Sequence, residues 1–138
     1  MTESLLQQCL ALSHNDRKHL ICELEKSLND RLKVAEKRFK IFLRAATELV
    51  GKGILTPCRN REVVIGRMMI IHQMRAEGFS FPNISMLMKR THSSAYHLAM
   101  KMQDVIEFSH IYREEYEYWT KFQTLLKEYE EEVRGKVV

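Results

Sequence analysis

Five glycines and two prolines in 138 residues leave this chain very few places where it must turn. Glycine supplies the left-handed backbone that ends helices, and proline interrupts hydrogen-bonded structure, so their scarcity favours long helices over a turn-rich sheet fold. The apolar residues agree. Leu32, Ala35, Phe39, Phe42, Leu43, Ala46 and Val50 recur at a spacing near 3.6, while Lys33, Lys37, Lys40 and Arg44 share the opposite face. Gly51-Lys52-Gly53 ends that run. Upstream, Leu5, Leu6, Cys9, Leu10 and Leu12 form a short stripe, Ser13 or Asn15 offers a fresh helix start, and Asn29-Asp30 offers another. No alternating pattern of the strand type occurs, and the fold class expected is all-α.

After a basic loop, Thr56-Pro57-Cys58-Arg59-Asn60-Arg61, a helix is expected from about Val63 until Gly78 stops it. Ser80 or Asn83 then caps a short helix from about Pro82 to Met88, and Lys89-Arg90-Thr91 makes a tight turn. Thr91 or Ser93 caps a further helix carrying Tyr96, Leu98, Ala99, Met102, Val105 and Ile106. A last amphipathic helix, roughly 111–133, bears Tyr112, Tyr116, Trp119, Phe122, Leu125, Leu126 and Tyr129, a stripe expected to pack on the N-terminal helices. The organisation read from these signals is an N-terminal helical segment over 1–53 for packing or dimerisation, a core over 54–110, and a C-terminal amphipathic helix over 111–138.

Charge is uneven along the chain. Residues 58–101 hold 7 Lys/Arg against 2 Asp/Glu, whereas residues 102–138 hold 5 against 9. A basic centre with an acidic tail suggests a polyanionic partner met by the centre. The longest apolar run, Val63 to Ile71, is broken by Gly66 and Arg67, so no membrane span is expected. Three widely spaced cysteines, Cys9, Cys22 and Cys58, fit neither a disulfide framework nor a zinc site and suit a reducing cytoplasm. His14, His19, His72, His97 and His110 have no metal-ligand spacing. Met68, Met69, Met74, Met86, Met88, Met100 and Met102 read as core filling. No catalytic residue, metal site or cofactor is expected, and the chain does not read as an enzyme.

The stretch that carries chemistry is Gly78 to Ser94, two helices joined by a basic turn. That is the shape of a helix-turn-helix, whose second helix presents its N-terminal side chains to base edges in the major groove. Thr91, His92, Ser93 and Ser94 supply four short hydrogen-bonding side chains in succession at that helix start. The amides there, with the positive end of the helix dipole, suit phosphate.

Ser80-Phe81-Pro82-Asn83-Ile84-Ser85 and Arg90-Thr91-His92-Ser93-Ser94-Ala95 resemble two blocks of the C-terminal DNA-binding domain of the bacterial replication initiator DnaA, a Trp-repressor-like helix-turn-helix. Arg59, Arg61 and Arg67 have the spacing of that family's loop and helix arginines, and the likeness spans roughly residues 58–118. The resemblance implies double-stranded DNA as partner. Arg59 and Arg61 would lie in the basic loop toward the minor groove, Pro82 near phosphates, and Arg67, Lys89, Arg90, Thr91, His92, Ser93, Ser94 and His97 along the contact surface. The sequence departs from the family where Thr91 replaces an acidic residue, Lys89 stands at the turn glycine, Ser85 replaces glycine and Ala95 replaces valine. These departures bear on which bases are read. No phosphate-binding loop of the ATPase kind occurs. The function expected is sequence-specific DNA binding by a phage, mobile-element or accessory replication or transcription regulator in the cytoplasm, associated with the nucleoid. The alternatives are a helical protein-interaction scaffold with a degenerate helix-turn-helix, or an RNA binder. A homodimer or a protein partner through the flanking helices is compatible with each.

Overall fold

A computed structural model describes residues 14–137, and the Leu5–Leu12 stripe lies outside them. Among the described residues there are five helices and no strand: α1 (His14–Val50), α2 (Arg61–Ala76), α3 (Phe81–Met88), α4 (His92–Glu107) and α5 (Arg113–Val137). The helix start expected at Asn29-Asp30 does not occur, because α1 runs through both residues unbroken. Asn and Asp cost only some tenths of a kcal/mol each in a helix interior, and no Gly or Pro lies nearby to turn that preference into a break.

The chain divides into two compact units, one through Val34 and one from Ala35 onward. In the first, the described residues form a continuous helical stretch. Ile21, Leu24, Leu28 and Val34 are each more than half exposed there.

The second unit holds the core. Ala35, Phe39, Phe42, Ala45, Ala46 and Val50 bury the inner face of α1, as the 3.6-residue spacing requires. Against them pack Met68, Met69, Ile71 and Met74 of α2, Ile84 and Met88 of α3, Ala95, Ala99, Met102 and Val105 of α4, and Phe122, Leu126 and Tyr129 of α5. The aromatic stripe of α5 does meet α1: Phe122 lies 6.4 Å from Phe42, and Trp119 stacks on Phe122 at 5.8 Å. Tyr129 donates its hydroxyl to the Glu48 carboxylate. Arg38 bridges three helices, holding Glu77 at 2.8 Å and Glu130 at 3.0 Å. Five methionines are core filling, but Met86 and Met100 lie on the surface, 56% and 42% exposed.

Where chains turn, the expected residues do it. Gly51 (φ +90°) closes α1, its amide donating to Thr47 O at 2.8 Å. Gly78 (φ +95°) follows α2, and Phe79 N reaches back to Met74 O at 3.1 Å, which satisfies carbonyls the helix end would otherwise leave open. Gly66 has a different reason to be glycine. A Cβ there would lie 2.7 Å from Val50 Cγ2, so the missing side chain lets α2 approach the end of α1.

Candidate nucleic-acid interface

The interface starts with two capped helix ends. Of the two caps offered by the sequence, Ser80 caps α3, its Oγ accepting from Asn83 N at 3.4 Å, and Pro82 occupies the first turn, where its missing N–H costs nothing. For α4 the cap is Thr91, whose Oγ1 accepts from Ser94 N at 3.2 Å. Between them α3 ends on Lys89, whose backbone is left-handed (φ 56°). Lys89 N donates to Met86 O at 3.3 Å and Arg90 N to Ser85 O at 3.0 Å. The turn therefore takes the geometry a glycine provides, although a lysine stands there.

Thr91, His92, Ser93 and His97 are exposed on the first two turns of α4, with Ser94 half-buried beneath them. The amides of His92 and Ser93 belong to the first turn and have no acceptor within the helix. Pro82 and Lys89 are exposed on the neighbouring helix and turn. A hydrogen bond ties the basic loop to this end: Arg90 Nη2 donates to Thr56 O at 2.6 Å. Arg90 Nε is buried without an acceptor, as is Ser85 Oγ.

The arginines do unlike things. Arg67 is 4% exposed, and its guanidinium donates to three backbone carbonyls: Ile54 at 2.7 Å, Gly53 at 3.3 Å and Thr56 at 2.6 Å. Burial, and then the charge of Arg90, push its pKa down, which is the mark of a cation held inside rather than at the surface. Arg67 thus pins the loop from within. Arg61 is exposed but engaged by the start of α5, 2.5 Å from Glu115 and 3.3 Å from Glu114. The hydrogen bond from Arg61 holds the Glu115 carboxyl below its ordinary value. Arg75 lies over the Phe81 ring at 4.4 Å and donates to Phe79 O at 3.0 Å. The side chains of Arg59, Lys89 and Lys101 make no hydrogen bond or ion pair among the described residues.

Tyr96 is the residue the periodicity misplaces. The helical spacing counts it among the periodic residues of α4, yet it is 50% exposed, while its neighbour Ala95 is fully buried. The buried stripe is Ala95, Ala99, Met102 and Val105, and Tyr96 sits one position off it. Its ring packs on Phe81 at 5.8 Å and on His97 at 6.2 Å. Together with His72, Arg75, Met100 and Gln103, Phe81 and Tyr96 line a cleft of about 400 Å³ between α2, α3 and α4. A spacing count anchored on Ala99 rather than on the largest side chain would have put Tyr96 outside.

No helix among the described residues is long and apolar enough to cross a membrane. Comparison with known protein families, with curated proteins and with solved structures finds no match to this chain.

Proposed function

We propose that this chain binds double-stranded DNA, with the first two turns of α4 in the major groove and the 56–60 loop along the neighbouring backbone. The observation that carries this reading is the exposed, Thr91-capped start of α4. It presents His92, Ser93 and His97 beside a basic turn to which Arg90 tethers the loop. Short polar side chains at a helix start can reach base edges, while Lys89, Arg59 and the free amides can hold phosphates. Tyr96 adds an apolar surface suited to a thymine methyl.

Two arginines change role in this reading. Arg67 contributes by shaping the loop and touches no phosphate. Arg61 contributes only by leaving Glu114 and Glu115. The unengaged cations are few, so the salt dependence of binding is shallow, with a log–log slope of about −3 rather than the steep slopes of proteins that cover many phosphates.

The test is selection from a random duplex pool, followed by anisotropy titration of the enriched sequence at several salt concentrations. Arg59→Ala and Lys89→Ala each weaken all sequences and flatten the slope by about one. Ser93→Ala or His92→Ala costs about 1–3 kcal/mol and relaxes preference at one base pair. Absence of any enriched sequence refutes the proposal.

A further inference from the structure

Spacings of three and four residues place Arg17, Ile21, Leu24, Leu28 and Arg31 on one face of α1. Ile21, Leu24 and Leu28 are 53%, 56% and 63% exposed, so the centre of this face is an open apolar strip with an arginine at either end. The helix flanks carry Lys18 on one side of Ile21 and Glu25 next to Leu24, in a stretch where opposite charges nearly balance. A face of this kind does not repel a copy of itself, and its charges decide how two copies can lie.

In a parallel pair, identical residues meet, so Arg31 faces Arg31 and Lys18 is kept apart from Glu25. An antiparallel pair with Ile21 against Leu24 of the second copy behaves differently. Leu28 then meets Arg17 of the second copy, whose methylene stem can lie along the leucine. Lys18 comes beside Glu25 of the second copy, and two-fold symmetry makes that pair twice. Slipping this pairing by one heptad sets Ile21 against Arg31 and brings Glu25 beside Glu25. Each antiparallel register sets two apolar side chains together and one against an arginine, and only the first brings Lys18 beside Glu25.

From this we infer that the 14–31 stretch of α1 is a self-association surface, pairing antiparallel with the same stretch of a second copy, with Ile21 against Leu24 and Lys18 against Glu25. The pairing uses no residue of the proposed DNA surface, and the inference stands or falls apart from that proposal. Where both hold, the dimer carries two readers and selects paired half-sites.

The experiment is sedimentation equilibrium of the full chain across the micromolar range, with reductant present so that the exposed Cys22 and Cys58 form no cross-link. Wild type shows a concentration-dependent monomer–dimer equilibrium. Leu24→Asp weakens association by a factor of about 100 or more, because the side chain is lost from both symmetry-related contacts. Since Leu24 is exposed, that variant keeps the wild-type thermal midpoint at concentrations where wild type is monomeric, which circular dichroism checks. Lys18→Glu and Glu25→Lys each weaken association by a factor of about 3 to 10, and the double variant Lys18→Glu/Glu25→Lys recovers it. A monomer at every concentration overturns the inference. So does a dimer indifferent to Leu24→Asp, and a double variant no better than either single change overturns the antiparallel register.

Discussion

Replacing Arg67 by methionine separates two roles that a sequence alone assigns to an arginine. The change keeps an unbranched stem of similar reach in the core and removes the guanidinium. Three carbonyls lose their donor, on Ile54, Gly53 and Thr56. They do not lose equally. Thr56 is exposed and keeps Arg90 as donor, and Gly53 is half-buried, so both recover partners; Ile54 is 2% exposed and its carbonyl does not. An orphaned buried carbonyl costs about 1–3 kcal/mol, and each lost charge-assisted bond about 1.5 kcal/mol at the low end of its range. Against this, methionine removes the desolvation that depresses the Arg67 pKa. The balance is a loss of about 3 kcal/mol, which in a unit of this size lowers the thermal midpoint by about 12–20 °C. Urea and thermal unfolding by circular dichroism measure it. DNA binding, titrated well below the lowered midpoint, keeps its salt slope. An Arg67→Met protein with an unchanged midpoint and a salt slope flatter by about one would refute the assignment, and would mean that Arg67 meets phosphate after all.

Lys89→Gly is expected to stabilise. A left-handed L-residue costs about 1–2 kcal/mol, of which the greater chain freedom of unfolded glycine takes back about 0.4–1, leaving a gain of about 0.5–1 kcal/mol by urea unfolding. The same variant loses a cation from the DNA surface, so stability and affinity should move in opposite directions. Gly66→Ala is expected to destabilise by about 1 kcal/mol: a helix-propensity gain of about 1 is outweighed by pressing Cβ into stiff, β-branched Val50, at a cost of about 1–3, and unfolding midpoints decide the sign. His72, half-buried and edge-on to Trp119 at 5.2 Å, has its pKa pushed down by burial. Its folded pKa lies below the unfolded value of about 6.5, so the unfolded state takes the proton first. The contribution to stability is whole above about pH 6.5 and is lost as pH falls through the folded pKa. Wild type should therefore lose more stability than His72→Gln between pH 7.5 and 5, as read from urea midpoints, and parallel pH profiles would contradict this.

The helical class, the stops at Gly51 and Gly78 and a pair of candidate caps for each of α3 and α4 were legible from the chain itself, and the structure chose Ser80 and Thr91. Each rests on local chemistry: apolar spacing, a left-handed glycine, a hydroxyl reaching an amide two or three residues on. The exposure of His92, Ser93 and His97 follows only once Ala95, and not Tyr96, leads the buried stripe of α4, and the packing decided that. What local chemistry leaves open is the destination of a long charged side chain. Arg59, Arg61, Arg67 and Arg90 look alike in a basic stretch. Only the packing of α2 against the 53–56 loop turns Arg67 inward, only the start of α5 supplies Glu114 and Glu115 to Arg61, and only the meeting of turn and loop gives Arg90 the Thr56 carbonyl. An arginine takes whichever acceptor the fold brings within reach of its stem, and these acceptors lie 11 to 54 residues away in the chain.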